Sequence, residues 1–330
     1  MTLAQIIIQQ QALINHNKKI DLLKYASGPV LDHIGALYDV SRLPSEAAIT
    51  TLQFSLSMPL TSATIIPAGT RVGPQGSGGT IYFVTDRVIE IPAGGLSGTV
   101  IASSSVPGIA GNGFLPAQIN TLIDPLPFIQ SVTNLTESSG GAESEMDDAF
   151  RERIRSAPES FSVAGPEGAY RFWAKTASPS IVDVAVTSPQ PMEVVVVPLL
   201  QGGELPSQDV LDAVSAVLND RTVRPLTDHV TVQAPTVVNY NITFTYYVDR
   251  ARAAEATSIQ DAVTAAVDAY RLWQKSKLGR DINPSELIWR VMSAGALRVE
   301  PTSPVFTNVN ELQVAQDVAV NVVYGGLADG

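Results

Sequence analysis

The sequence contains no cysteine and only three histidines in 330 residues. The absence of cysteine excludes disulfides, thiolate nucleophiles and cysteine-ligated zinc or iron–sulfur sites. His16, His33 and His229 are scattered, and neither H-x-x-x-H nor H-E-x-x-H occurs, so a histidine-based metal site is unsupported. The sequence also lacks a P-loop and a G-x-S-x-G nucleophile motif. We therefore predict no catalytic residue, no cofactor and no metal.

Charge is scarce as well. Charged residues make up 16% of the chain, against roughly 25% in an ordinary soluble domain. The low charge suggests that other chains cover part of the surface. The net charge of −11 disfavours nucleic acid and anionic lipid as main ligands, because both need clustered positive charge.

Long apolar runs are missing too. No stretch approaches 18 consecutive apolar residues, and no basic residue precedes the apolar run at the start of the chain. We therefore expect neither a membrane-spanning helix nor a secretory signal. The interpretation is a soluble protein made in a cytoplasm, with no membrane partner.

Apolar residues, in contrast, are abundant and make up 45% of the chain. This proportion excludes disorder of the whole chain, and a chain of this length can form more than one hydrophobic core. Residues 1–48 are predicted to be helical, as three short helices, the third opening at Pro29. Their apolar stripes pack either on this chain or on helices of other chains, and the pattern favours neither alternative. If partner helices cover them, the contacts form a bundle through a set of apolar residues: Leu3, Ile6, Ile7, Leu13, Ile14, Leu31 and Ile34.

Residues 49–135 have a different composition. Short β-branched runs alternate with glycine and proline, which predicts a β-rich module. The glycine-rich runs GSGG (76–79) and GNG (111–113) lie within it, without the strand-to-helix context that phosphate binding requires.

Residues 136–234 and 235–330 mix strand and helix patterns. We predict a central α+β domain and a C-terminal α+β domain, with antiparallel or mixed sheets. The fold class is therefore multi-domain α+β: N-terminal helices, an inserted β-rich module and two α+β domains. Pliable links are expected at Gly140, Gly141 and Pro235.

The densest charge lies in GGAESEMDDAFRERIR (140–155). Ser144 is a plausible N-cap, with Asp147 three residues later, and Met146, Phe150 and Ile154 form an apolar stripe. A metal site is disfavoured because the acids alternate faces beside arginines. An acid–base pair that includes Glu145 or Glu152 stays open as an alternative.

Several long runs resemble one known family. SVAGPEGAYRFWAKTASPSIVDVAVTSPQP (162–191), LNDRTVRPLTDHVTVQAPTVVNYNITFTYYV (218–248) and LGRDINPSELI (278–288) closely resemble the baseplate J-like family of contractile-tailed phages and related particles. YASGPVLDHIGALYDVSRLP (25–44) and IPAGTRV (66–72) are similar to its recurring motifs. In this family the β-rich module is expected to be a peripheral insertion.

The resemblance implies a structural protein of the virion tail baseplate, made in the host bacterial cytoplasm, and not an enzyme. Two conformers of the chain are expected to join a smaller, tail protein I-like partner in a wedge. Wedges then link laterally into a ring around the hub and spike. The ring relays the contraction trigger to the sheath through a sheath-linking wedge protein.

The lateral ring contact is predicted in residues 235–330, on the helix 258–275 and the edge of the strand 236–248. The candidate residues are Tyr246, Tyr270, Arg271, Trp273, Arg280 and Trp289. Two rival functions remain: a wall-acting tail enzyme that uses the carboxylates near 143–152, and a receptor-binding fibre module carried on residues 49–135.

Overall fold

The computed structural model describes residues 3–74, 80–162 and 165–329. The chain divides into two compact units, residues 1–161 with 178–180 and residues 162–177 with 181–330. Helices and several separate sheets alternate along it, so the predicted multi-domain α+β class is confirmed. None of the described helices combines the length and apolarity needed to cross a bilayer.

Two α-helices, rather than the predicted three, precede the first strand. α1 spans Leu3–Ile20 and α2 spans Gly28–Ala36, with Pro29 in the first turn of α2 as predicted. The expected middle helix is a series of turns, in which Tyr25 and Ala26 donate backbone hydrogen bonds to the carbonyl of Leu22.

A β-barrel follows, in the region where the composition of residues 49–135 predicts a β-rich module. Its described residues form eight strands: β1 (Ala47–Leu56), β2 (Thr64–Ile66), β3 (Arg71–Pro74), β4 (Phe83–Thr85), β5 (Ile89–Ile91), β6 (Ser97–Pro107), β7 (Ile119–Leu122) and β8 (Ile129–Asn134). Six strands form one sheet in the order β7-β3-β4-β6-β1-β8, and β2 pairs with β5. The run 76–79 lies outside the described residues.

Asn134 joins the two ends of the six-stranded sheet. Its Oδ1 accepts from the backbone N–H of Ile119 at 2.9 Å, and its carbonyl accepts from Ala117 at 2.9 Å. The side chain is buried at 1% exposure, where an unpaired amide would be unfavourable. Side chains alternate between inward and outward along the strands, and the inward ones, such as the fully buried Phe54 and Phe83, fill the interior of the barrel.

The first unit ends with α3 (Asp147–Ser156). The central part of the second unit contains α4 (Glu167–Thr176), β9 (Ile181–Thr187), β10 (Glu193–Leu200), α5 (Gln208–Leu218) and β11 (His229–Val232). β10 is the middle strand, antiparallel to β9 and parallel to β11. The apolar stripes of α4 and α5 pack on this mixed sheet.

The C-terminal part contains β12 (Thr236–Asp249), α6 (Ala256–Lys275), α7 (Pro284–Ser293), β13 (Arg298–Ser303) and β14 (Gln313–Ala328). β12 is the middle strand, antiparallel to β13 and parallel to β14. The prediction that the strand 236–248 offers a free edge is wrong. β13 pairs with one side of β12, and β14, which follows both helices in the chain, pairs with the other side. The free edges belong to β13 and β14.

Candidate interaction surfaces

A buried ion pair organises the chain around α3. Arg153 donates from Nε to Glu145 Oε1 at 2.8 Å and from Nη2 to Glu145 Oε2 at 2.7 Å. Both side chains are about 95% buried, at 5% and 4% exposure. Glu145 also accepts from the backbone N–H of Leu43, and Arg153 donates to the carbonyl of Ser41. The pair therefore fixes the chain that leads from α2 to the barrel.

Four further side chains hold α2 and the chain around it against α3. Arg42 pairs with Asp147 at 2.7 Å and with Asp32 at 3.0 Å. Arg151 donates to the carbonyls of Leu23 and Ala26. We call residues 23–45 together with 145–154 the clasp.

Asp147 caps a different helix from the one predicted. α3 begins at Asp147 itself, so the expectation that Ser144 is its N-cap is wrong. Asp147 Oδ2 instead accepts from the backbone N–H of Gly28 at 3.0 Å, at the start of α2. That hydrogen bond and Arg42 lower the pKa of Asp147 below its ordinary value of 3.8. Met146, predicted to lie in the apolar stripe, is exposed.

A close approach between α2 and α3 requires glycine at position 35. A Cβ atom there would lie 2.6 Å from Phe150 Cζ and 2.6 Å from the Val40 carbonyl. Phe150 and Ile154 are buried beneath α2 as the sequence predicts. The clasp thus holds α2 against α3 within the first unit.

The helix that precedes the clasp in the chain, α1, has exposed apolar side chains. Of the predicted bundle residues on α1, four are exposed by 47% or more: Leu3, Ile7, Leu13 and Ile14. The side chain of Ile6 lies outside the described part of the chain. Ile8, which the sequence analysis did not single out, is 65% exposed. Adjacent exposed apolar side chains of this kind mark interaction surfaces.

The two predicted bundle residues on α2 have different surroundings. Leu31 is fully buried within its own unit, and Ile34 is partly buried. Within the first unit, therefore, the predicted bundle residues that are exposed lie on α1.

The predicted ring residues also separate by burial. Tyr246 and Tyr270 lie in the core between the C-terminal sheet and α6, at 4% and 0% exposure. Burial raises the pKa of Tyr270 to about 12, so its hydroxyl is neutral. These two side chains are enclosed by their own domain.

Arg271, Trp273, Arg280 and Trp289 lie closer to the surface. Arg271 is partly exposed and pairs with Asp317 at 2.7 Å. The Trp273 ring has the Arg280 guanidinium 4.2 Å from its centroid, and burial lowers the pKa of that guanidinium. Trp289 is 62% exposed on α7. Exposed tryptophan is a residue type that is enriched in interface hot spots.

The predicted hinge positions are tightly packed or lie inside a unit. Gly141 donates to Asn112 Oδ1 at 2.9 Å and accepts from Asn112 Nδ2 at 2.8 Å. Gly140 precedes it with φ of 84°. Pro235 lies between β11 and β12 within the second unit, whereas the chain passes between units at 161–162, 177–178 and 180–181. As hinges, these residues stay predictions.

The alternative hypothesis of an enzyme relies on the carboxylates of Glu145 and Glu152, and both of these accept hydrogen bonds from arginine side chains. Glu145 is held by Arg153, and Glu152 pairs with Arg155 at 2.7 Å on the exposed face of α3. No group of three or more histidine, aspartate or glutamate side chains within the described ranges could hold a metal ion. The geometry around α3 is that of a structural cluster.

Two sequence profiles match the parts of the chain described above. Residues 51–141 match the "Baseplate J-like protein barrel domain", which corresponds to the eight-stranded barrel. Residues 162–234 match the "Baseplate J-like central domain", which corresponds to the helices and sheet around β10.

Relatives point in the same direction. Baseplate protein J of Escherichia phage P2 is 35% identical over 184 residues, which are 55% of this chain and 60% of that protein. A chain in the structure of the anti-feeding prophage (AFP) baseplate aligns with 95% of this chain and 84% of its own length. Its identity of 14% and TM-score of 0.39 do not establish a common fold.

A barrel followed by an α+β central domain, each matching its counterpart in baseplate proteins, defines a structural protein of the tail baseplate. The chain belongs to the baseplate J-like family. The resemblance seen in its sequence motifs is therefore confirmed.

Proposed function

We propose that this protein is a wedge component of a contractile-tail baseplate and acts through contacts with neighbouring proteins. The observation that carries the proposal is the presence, in one chain, of two baseplate J-like domains and of a helix, α1, with exposed apolar side chains. A helix with that much exposed aliphatic surface is stable in water mainly when other chains cover it.

The proposal extends to the partners that the family resemblance implies. α1 joins helices of a second conformer and of a smaller, tail protein I-like partner in a bundle. The C-terminal part contacts neighbouring wedges, through exposed side chains such as Trp289, and wedges close into a ring around the hub and spike. The sheath-linking wedge protein receives the contraction trigger from this ring.

Substitutions on α1 test this function. Leu3→Lys with Ile14→Lys places two charges on exposed positions, so the isolated chain should fold normally. We expect the variant to be absent from purified tail particles, since lysine opposes burial in a bundle. Leu226→Lys is the matched control, because Leu226 is 96% exposed in the other unit.

The outcomes separate clearly. Incorporation of the Leu226→Lys chain together with loss of the α1 variant supports a bundle that depends on α1. Normal incorporation of the α1 variant would refute it. Assembly of intact, contractile tails without any copy of this chain would refute the proposed function as a whole.

The fibre and enzyme readings receive less support. The barrel matches a domain that the family itself contains, which favours a baseplate role over a receptor-binding fibre. Intact particles that lose host adsorption after deletion of residues 49–135 would reverse that preference. Sugar release from peptidoglycan that depends on Glu145 or Glu152 would revive the enzyme reading.

A further inference from the structure

Two tyrosine hydroxyls and one amide oxygen in the C-terminal core have no hydrogen-bond partner among the described residues. They belong to Tyr240 on β12 and to Tyr270 and Gln274 on α6. Tyr270 and Gln274 are fully buried, and Tyr240 is 9% exposed. Buried polar atoms in native proteins are nearly always paired, so three unpaired atoms in one core require an explanation.

The packing of α6 on β12 brings the three groups to one end of the core. β12 buries every second residue from Tyr240 to Val248, and α6 buries a stripe that runs from Ile259 to Gln274. A connection of only six residues, 250–255, joins the two elements, so α6 runs back along the strand. Val248 therefore lies near the start of the buried stripe, and Tyr240 lies near its end.

The register of β14 shows the same arrangement. Asp317 is the β14 residue opposite Tyr240, and its carboxylate pairs with Arg271 at 2.7 Å. Arg271 follows Tyr270 in α6, and Gln274 lies one turn beyond Tyr270 on the same face of the helix. The three unpaired atoms thus lie at the end of the core where the last turns of α6 cover the start of β12.

The chemistry of the three groups defines the partner that they require. Gln274 Nε2 donates to the carbonyls of Arg280 at 2.9 Å and Asp281 at 3.3 Å, so Gln274 Oε1 can only accept. Burial raises the pKa of Tyr240 and of Tyr270, so both hydroxyls are neutral and can donate and accept. A charged ligand without a counter-ion is unfavourable in such a core. The partner must therefore be small and uncharged and must both donate and accept, as water does.

We propose that Tyr240, Tyr270 and Gln274 bind an ordered internal water molecule that bridges β12 and α6. Internal waters make about three hydrogen bonds each to buried polar groups, which matches the three unpaired atoms. Because Gln274 also holds the carbonyls of Arg280 and Asp281, the site fixes the connection between α6 and α7 as well. It goes beyond the proposed function, since it requires no other tail protein.

Magnetic relaxation dispersion of water on the isolated full chain tests the site, because it counts internal waters that exchange slowly with the solvent. We expect the double variant Tyr240→Phe with Tyr270→Phe to hold one long-lived water fewer than the wild type. Tyr247→Phe is the matched control. The Tyr247 hydroxyl makes an exposed contact of 3.5 Å with Glu300, so its loss should leave the count unchanged.

The direction of a stability change gives an independent result. The tryptophans lie only in the second unit, so their fluorescence follows its unfolding in urea. Tyr270→Phe should lower the unfolding midpoint, because the folded state loses a hydrogen bond to water. If the hydroxyl were unpaired, the same change would raise the midpoint by removing a buried polar group without a partner. Because both hydroxyls contact one water, the double variant should lose less than the sum of the two single losses.

A higher midpoint for Tyr270→Phe, additive losses, or an unchanged count of long-lived waters in the double variant would each overturn the proposal. If the double variant does not fold, a high-resolution map of the wild type decides. Density within hydrogen-bond distance of all three polar atoms supports the site, and direct packing of these groups on one another refutes it. None of these results bears on the proposed baseplate function, which is tested separately on tail particles.

Discussion

Removing the negative charge of Glu145 should destabilise the first unit far more than removing an exposed carboxylate nearby. Glu145→Gln keeps the size of the side chain but leaves the Arg153 guanidinium, at 5% exposure, without its counter-ion. A buried charge that loses its partner costs several kcal/mol, because water cannot replace the missing charge.

The expected loss is about 3–5 kcal/mol, the range found when one member of a buried pair is removed. With a urea dependence of about 2 kcal/mol per molar, the unfolding midpoint should fall by roughly 2 M. Glu152→Gln removes an exposed partner of Arg155 and should change stability by less than about 1 kcal/mol.

Tryptophan makes it possible to observe the two units separately. Trp173, Trp273 and Trp289 all lie in the second unit, so their fluorescence follows only its unfolding. Far-ultraviolet circular dichroism follows both units. Glu145→Gln should shift a dichroism transition and leave the fluorescence transition unchanged.

A double-mutant cycle completes the test. Glu145→Gln combined with Arg153→Met removes the uncompensated charge, so it should cost clearly less than the sum of the two single losses. Additive losses, or equal effects of Glu145→Gln and Glu152→Gln, would refute the interpretation of this pair as the anchor of the clasp.

Three further changes test other parts of the account. Gly35→Ala should destabilise the first unit by about 1–3 kcal/mol through overpacking, and an unchanged dichroism transition would contradict the close approach to Val40. Because the pKa of Asp147 is lowered, its stabilisation is present above pH 3.8 and lost as pH falls through the folded-state pKa. Asp147→Asn should weaken the acid dependence measured by urea unfolding; an identical acid profile counts against the assignment. Phe244→Ala should lower the fluorescence-detected stability by about 3–5 kcal/mol, whereas Phe306→Ala, at 59% exposure, should lower it by less than about 1 kcal/mol; equal losses would contradict the core assignment.

Local patterns predicted the elements well. Alternation along residues 236–248 located β12, and the glycine- and proline-punctuated runs of 49–135 located a β-rich module, without indicating that it closes into a barrel. These signals are properties of short windows, in which side-chain direction follows the backbone period. Pro29 marked the start of α2 for the same local reason.

Long-range pairings were not visible in the sequence. Asp147 caps a helix 119 residues away in sequence, although its own neighbours suggested a local capping box. β12 became a central strand because β14 returns beside it after two helices. Periodicity reports which face of a segment is apolar, and it does not report which element will cover that face.

The surface residues show the same limit. The sequence pattern on α1 picked out side chains that the structure leaves exposed, such as Leu3 and Leu13. The same reasoning placed Tyr270 at an interface, whereas its own domain encloses it. An apolar stripe looks alike whether its partner lies in the same chain or in another chain.

The most direct test of the central claim is a cryo-electron microscopy map of tail particles purified from producing cells. The account predicts density for both units of this chain in the baseplate ring, with α1 enclosed by helices of other proteins. A complete baseplate without this chain, in particles that still contract, would contradict it.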